Sequence, residues 1–307
     1  MILKNNFMRD FKKTGFKNFG RIIDKKKCLE LQKKIRKLRK LNKNIFYKSE
    51  KEFLKKGRFY KYAPGAKDHN LLVSNELEHD LGFIEKNPKF IKNVSKILGP
   101  NYEIIKKTII RSVPFSMIPK WLTKKLEDIG RPNLNPYIRD DFQDVQYFLN
   151  ADFHQDMQTG KKFCTLYVYL DDVGKKDSYL QVLEGSHILG AQIYPHYLRK
   201  SNMKKDVWYY NDNKELIEVK QKNIIGKGGT VACWHGLTLH GTYYNFSKTP
   251  RVSLRYLIKP DSKSKNSPFL NSFKDIKGKI SIKDISKARL DLNDDRSFRK
   301  TGMSITF

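Results

Sequence analysis

Lys162-Phe163-Cys164-Thr165-Leu166-Tyr167-Val168-Tyr169-Leu170-Asp171 reads as a β-strand with two unlike faces. Cys164, Leu166, Val168 and Leu170 fall on one side, all apolar. Phe163, Thr165, Tyr167 and Tyr169 fall on the other, aromatic or hydroxyl-bearing. Side chains on a strand alternate with a period of two, so one face suits a core and the other a ligand-holding interior.

Nine residues upstream stands Phe153-His154-Gln155-Asp156. His154 and Asp156 are two apart and so share a strand face. One more histidine from a distant strand would complete two imidazoles and a carboxylate on one side of an Fe(II) ion, leaving positions open for cosubstrate and oxygen. The seven histidines include His187, His235 and His240, and spacing alone leaves all three as candidates for that place. His240 opens the run His240-Gly241-Thr242-Tyr243-Tyr244-Asn245-Phe246-Ser247-Lys248-Thr249-Pro250-Arg251. Arg251 is the residue type that grips a carboxylate with a planar fork of donors. If Arg251 points inward, Ser253 and Arg255 share its face. A second interior guanidinium needs an anion, either a protein carboxylate or an anionic substrate group.

The rest of the chain frames these motifs. Residues 24–45 predict an amphipathic helix capped by Asp24, with Cys28, Leu31, Ile35, Leu38, Leu41 and Ile45 as its apolar row. Residues 87–99 predict a second helix, with Asn87 as cap, Pro88 in the first turn, Gly99-Pro100 as stop, and Phe90, Ile91, Val94, Ile97 and Leu98 as the buried stripe. Strands are expected at 102–113, 180–183, 229–234 and 251–259, a loop with a short helix at 114–145, and a loop at 190–215. Trp121, Tyr137, Tyr194 and Trp208 in these loops are candidates for lining a substrate pocket. Helices first, strands afterwards and ligands on separate strands predict a mainly β fold, a sandwich or jelly-roll barrel packed by N-terminal helices. One domain is expected over 1–307, with its core at about 8–260. The segment 261–307 would be a C-terminal extension or cover, with a short helix near 282–290.

Composition narrows the class. The formal charge of +30 suggests nucleic acid. Lys, however, outnumbers Arg 48 to 14 and is spread along the chain beside abundant Asn, Ile, Phe and Tyr. That is the mark of a low-GC coding sequence and a solvated surface, so no nucleic-acid partner is expected. Three cysteines make no disulfide framework. Residues 1–15 lack the apolar run of a secretion signal and no stretch is long enough to span a bilayer, so a cytoplasmic protein is expected, with no membrane partner.

Taken together, the motifs at 153–156, Leu170-Asp171-Asp172, Leu180 to His187, Gly228-Gly229-Thr230 and His240 to Arg251 resemble the phytanoyl-CoA dioxygenase family over residues 8–260. Phe11 to Leu38 resembles the family's opening helix. The resemblance implies a double-stranded β-helix (a cupin-like jelly roll) using Fe(II), 2-oxoglutarate and O2. It assigns the iron to His154, Asp156 and His240, and the distal carboxylate of 2-oxoglutarate to Arg251. Thr242, Tyr167 and Lys107 (or Lys106) stand where contacts to the cosubstrate are implied. Arg255, Gln155 and His187 are candidates for substrate contact or for support of the ligands. Glu184 departs from the family's usual Pro before Gly-Ser-His and alters only a turn. The implied reaction hydroxylates an unactivated C–H bond of a small molecule, an anionic one if Arg255 meets the substrate, releasing succinate and CO2. Asp156 favours hydroxylation over halogenation, since related halogenases lack that carboxylate. Desaturation or cyclisation, and demethylation or hydroxylation of a nucleic acid or protein by the same iron site, are the alternatives. Oligomeric state is left open.

Overall fold

The computed structural model describes residues 10–56, 72–127, 134, 137–142, 144–149, 151–156, 162–190, 198–212, 215–264 and 267–276. Two six-stranded sheets form its frame. The first runs in the order β1 (Phe16–Arg21), β10 (Thr230–His235), β5 (Cys164–Tyr169), β12 (Arg251–Pro260), β2 (Tyr102–Ser112), β3 (Gln146–Phe148). The second runs β4 (Ala151–His154), β11 (His240–Thr242), β6 (Leu180–Glu184), β9 (Glu215–Ile224), β8 (Val207–Asp212), β7 (Leu198–Lys200). Pairing is antiparallel except between β2 and β3. The expected mainly β jelly roll with flanking helices is what forms.

The two faces of β5 separate as its alternation predicts. Cys164, Leu166, Val168 and Leu170 join Val231, Cys233, Val252, Leu254 and Tyr256 in a large apolar layer. Helix α1 (Lys25–Leu38) and helix α2 (Pro88–Leu98) press onto that layer through Cys28, Leu31, Ile35, Phe90 and Val94. Tyr167 and Tyr169 turn the other way, between the sheets, with Phe16, Ile110, Phe148, Leu180, Val182 and Trp234. Each such large side chain contributes about 1.5–3 kcal/mol by leaving water. The helical layer therefore fixes the first sheet from outside and leaves its inner face for polar groups.

Several local expectations needed correction. Helix α1 starts at the Asp24 cap, whose carboxylate accepts from Lys27 N at 2.8 Å, but it ends at Leu38 rather than near 45. Arg39 leaves helical geometry (φ −131°) and turns its guanidinium to Asp144, with Nε donating at 2.9 Å. The stretch 11–38 is not one helix. Gly15 (φ +65°) ends a first turn, strand β1 follows, and α1 comes after it. Left-handed geometry of this kind is where glycine terminates a helix at no steric cost. In α2 the Asn87 cap and the Gly99 stop hold, but Ile91 is 41% exposed, one position round from the Phe90 row. The region 190–215 is more than a loop, for β7 and β8 lie within it. A short helix, α3 (Pro268–Ser272), buries Phe269 in the apolar layer. The helix expected at 282–290, and Tyr194, lie outside the described residues.

Candidate active site

His154 and His240 are register partners across the β4–β11 pair, with ring centroids 4.3 Å apart. Asp156 follows β4 by two residues and brings its Oδ2 to 3.4 Å from His240 Nε2. One ligand atom from each of His154, Asp156 and His240 lies within 4.8 Å of the others. The second sheet thus supplies the imidazoles, and the chain leaving β4 supplies the carboxylate.

Supporting contacts orient these groups. His240 Nδ1 lies 3.0 Å from the Thr238 carbonyl. A carbonyl only accepts, so Nδ1 carries the proton and, in the neutral ring, Nε2 keeps its lone pair for a metal. Thr165 Oγ1 donates to Asp156 Oδ2 at 2.8 Å, and Arg255 Nη1 donates to Oδ1 at 3.3 Å. Burial alone would raise the Asp156 carboxyl, but the charges of a protonated His240 and of Arg255, with the hydrogen bond from Thr165, outweigh it and hold the group below its ordinary value. The carboxylate is therefore ionised, the form that ligates a metal. The Trp234 ring packs on His240 at 4.7 Å.

Arg251 enters from the facing sheet and is 2% exposed. Its guanidinium carbon sits 5.3 Å from the Phe148 and Tyr167 ring centroids and 5.6 Å from that of Tyr169. Nη2 donates to the Tyr167 hydroxyl at 3.1 Å, while Nε and Nη1 are buried without a hydrogen bond. Thr242 Oγ1 and Ser253 Oγ are likewise buried and unsatisfied. Buried polar atoms are rarely left so, and a guanidinium with two unmet donors in an aromatic box fits a carboxylate. The donor set, two imidazoles and one carboxylate, fits Fe(II).

The other residues singled out by sequence lie elsewhere. Lys107 pairs across β2–β12 with Tyr256, on the helical side, and its ammonium is ion-paired with Glu78 and Glu85. Gln155 points away from His154 and Asp156 and donates to the carbonyls of Gly190 and Leu237 at 2.8 and 2.7 Å. His187 is fully buried, bonded to the Lys12 carbonyl at 3.0 Å and packed on His235 at 5.3 Å between ring centroids. Burial pushes His187 down to about 4 and His235 well below its ordinary value. Trp121 and Tyr137 stack around Phe53 in the helical layer, and Trp208 packs on Phe153. Thr165 and Trp234 are contacts of the ligand set that the motifs do not reveal. Their only sequence signal is a shared inward face, for Trp234 and Thr165 are register partners.

A jelly roll with this donor set and an enclosed arginine defines the class of Fe(II)- and 2-oxoglutarate-dependent oxygenases. The family comparison places the chain within it. The sequence profile of the phytanoyl-CoA dioxygenase (PhyH) family matches residues 11–253, and the chain belongs to that family. The fold is shared with the non-haem α-ketoglutarate-dependent epimerase SnoN from nogalamycin biosynthesis, at 13% identity and a TM-score of 0.51, covering 84% of this chain and 81% of that one. SnoN in complex with Fe3+, α-ketoglutarate and nogalamycin RO is similar at 14% identity and a TM-score of 0.49, covering 84% of each chain. The non-haem monooxygenase ThoJ is similar at 12% identity and a TM-score of 0.46, covering 83% of this chain and 77% of that one. No curated protein matches the sequence. No described helix is long and apolar enough to cross a membrane.

Proposed function

We propose that the protein hydroxylates an unactivated C–H bond of a small molecule, with 2-oxoglutarate as cosubstrate. The observation that carries this reading is the His154, Asp156 and His240 cluster combined with a buried Arg251 that keeps two unmet donors. In this reading His154, Asp156 and His240 hold Fe(II). With 2-oxoglutarate and O2 bound, iron supplies the oxidising power for the C–H bond. The protein supplies orientation. Thr238 locks the His240 tautomer, while Thr165 holds the Asp156 oxygen nearest His240. Arg251 receives the distal carboxylate of 2-oxoglutarate, with Tyr167 fixing one edge of its guanidinium and Thr242 offering a hydroxyl from β11. Phe148, Tyr167 and Tyr169 keep water from that ion pair, which strengthens it.

The test is a turnover screen of the Fe(II)-loaded protein against a metabolite library, scored by succinate release. Product masses separate the outcomes: a gain of one oxygen for hydroxylation, a loss of two hydrogens for desaturation or ring closure. An absence of iron-dependent succinate with every metabolite and with the protein alone sinks the proposal.

A further inference from the structure

Arg255 is the second inward guanidinium of β12, two inward positions beyond Arg251. Its Nη1 takes Asp156 Oδ1, leaving Oδ2 to Thr165 and to the side facing His240. Its Nε is buried without a hydrogen bond. The side chain keeps 11% exposure, whereas Arg251 is sealed at 2%. Among the described residues, Asp156 is the only carboxylate within ion-pair distance of Arg255. Arg255 is thus a counter-charge that favours an ionised carboxylate inside the barrel.

A divalent cation held by His154, Asp156 and His240 uses that same carboxylate. Two cations on one carboxylate repel, and the doubly charged ion with two imidazoles holds the stronger claim. Arg255 is then an interior cation whose counter-charge is shared, on the same strand face as Arg251, to which the reading above assigns the cosubstrate. Such a group needs an anion. We infer that Arg255 determines substrate specificity: it competes with the metal for Asp156 and, once the metal is loaded, receives an oxyanion of the prime substrate, a carboxylate or a phosphate. This inference rests on the iron reading above.

Co(II) affinity, measured anaerobically by chelator competition, tests it without turnover. Wild type, Arg255→Met and Arg255→Lys are compared, each after circular dichroism and a melting curve. Arg255→Met binds Co(II) more tightly, on the order of tenfold, because the repulsion is gone, and Arg255→Lys stays near wild type. Sulfate, against chloride at matched ionic strength, tightens Co(II) binding by wild type and leaves Arg255→Met unmoved. If the methionine variant does not fold, the lysine variant and the sulfate arm carry the test. With a substrate found by the succinate screen, Arg255→Met raises the KM for that substrate about tenfold or more. The KM for 2-oxoglutarate stays within about threefold, and Lys restores part of the loss. Carboxylate and phosphate substrates of otherwise equal shape separate the two sources of charge. Cobalt binding by Arg255→Met no tighter than wild type overturns the inference, as does a neutral substrate with equal KM in both. A wild-type protein that takes no Co(II) overturns the iron reading, and the inference falls with it.

Discussion

His240 faces His154 across the β4–β11 pair, their ring centroids 4.3 Å apart, and Asp156 closes the same corner with Oδ2 at 3.4 Å from His240 Nε2. Removing any one leaves too few donors on one side of a metal. His240→Ala and Asp156→Ala are each expected to abolish stoichiometric Fe(II) binding and to cut succinate formation by at least about 100-fold. Elemental analysis of anaerobically purified protein checks the first effect. Wild-type metal content in either variant would contradict the ligand assignment.

Arg251 is enclosed by three aromatic rings and carries two unmet donors. Arg251→Met is expected to raise the KM for 2-oxoglutarate by about 100-fold, the loss of a buried charge-assisted pair of roughly 2–5 kcal/mol. Because the guanidinium lacks a full set of partners, the same variant is expected to melt no lower than wild type. A fall in melting temperature without a change in KM would assign Arg251 a structural role instead.

The Tyr167 hydroxyl accepts from Arg251 Nη2 at 3.1 Å. Tyr167→Phe keeps the ring of the box and deletes that one bond. A rise of about three- to tenfold in the KM for 2-oxoglutarate, with the substrate KM steady, is the expected result. Steady-state kinetics with each reactant varied in turn decides it.

Gly229 has φ +90° and lies so close to the link between β1 and α1 that an added Cβ would stand 2.2 Å from the Ile23 carbonyl oxygen. This is the physical reason for glycine in the Gly228-Gly229-Thr230 motif. Gly229→Ala combines strain with a backbone clash and is expected to destabilise by about 2–4 kcal/mol, read from urea unfolding midpoints.

His187 and His235 are buried neutral imidazoles whose pKa values are depressed, His187 to about 4 from an ordinary value of 6.5. Protons therefore bind the unfolded chain first as pH falls. The stability from keeping the rings neutral is complete above about pH 6.5 and declines towards pH 4, by up to about 3 kcal/mol for His187. Denaturation midpoints measured from pH 7.5 to 4.5 should fall, and His187→Phe should flatten the slope. A flat profile in the wild type would contradict the buried neutral pair.

Legibility in the sequence followed the range of the interactions. The strand around Tyr167 and the Asn87-capped helix announce themselves through local period and capping, and both form. Strand β1 stays hidden because its run is short, follows the left-handed Gly15 and contains the left-handed Gly20. Strands β7 and β8 stay hidden because lysine and other polar residues blur their alternation. Lys107 illustrates the limit for the site. Its residue type suits an anionic cosubstrate, but pairing with Tyr256 puts it on the helical side with Glu78 and Glu85.

The sequence by itself determined the inventory: one alternating strand with a polar inner face, a His-x-Asp pair, a distant His and an Arg eleven residues after it, in an order that defines the family. These are properties of residue type and spacing along one chain. Only the tertiary structure decided which of them meet. It set His240 opposite His154, closed Phe148, Tyr167 and Tyr169 around Arg251, and gave Arg255 to Asp156. It sent Gln155 and His187 to backbone carbonyls instead. The reason is that strand neighbours and register are settled by how whole sheets and helices bury their faces together, and no local pattern carries that information.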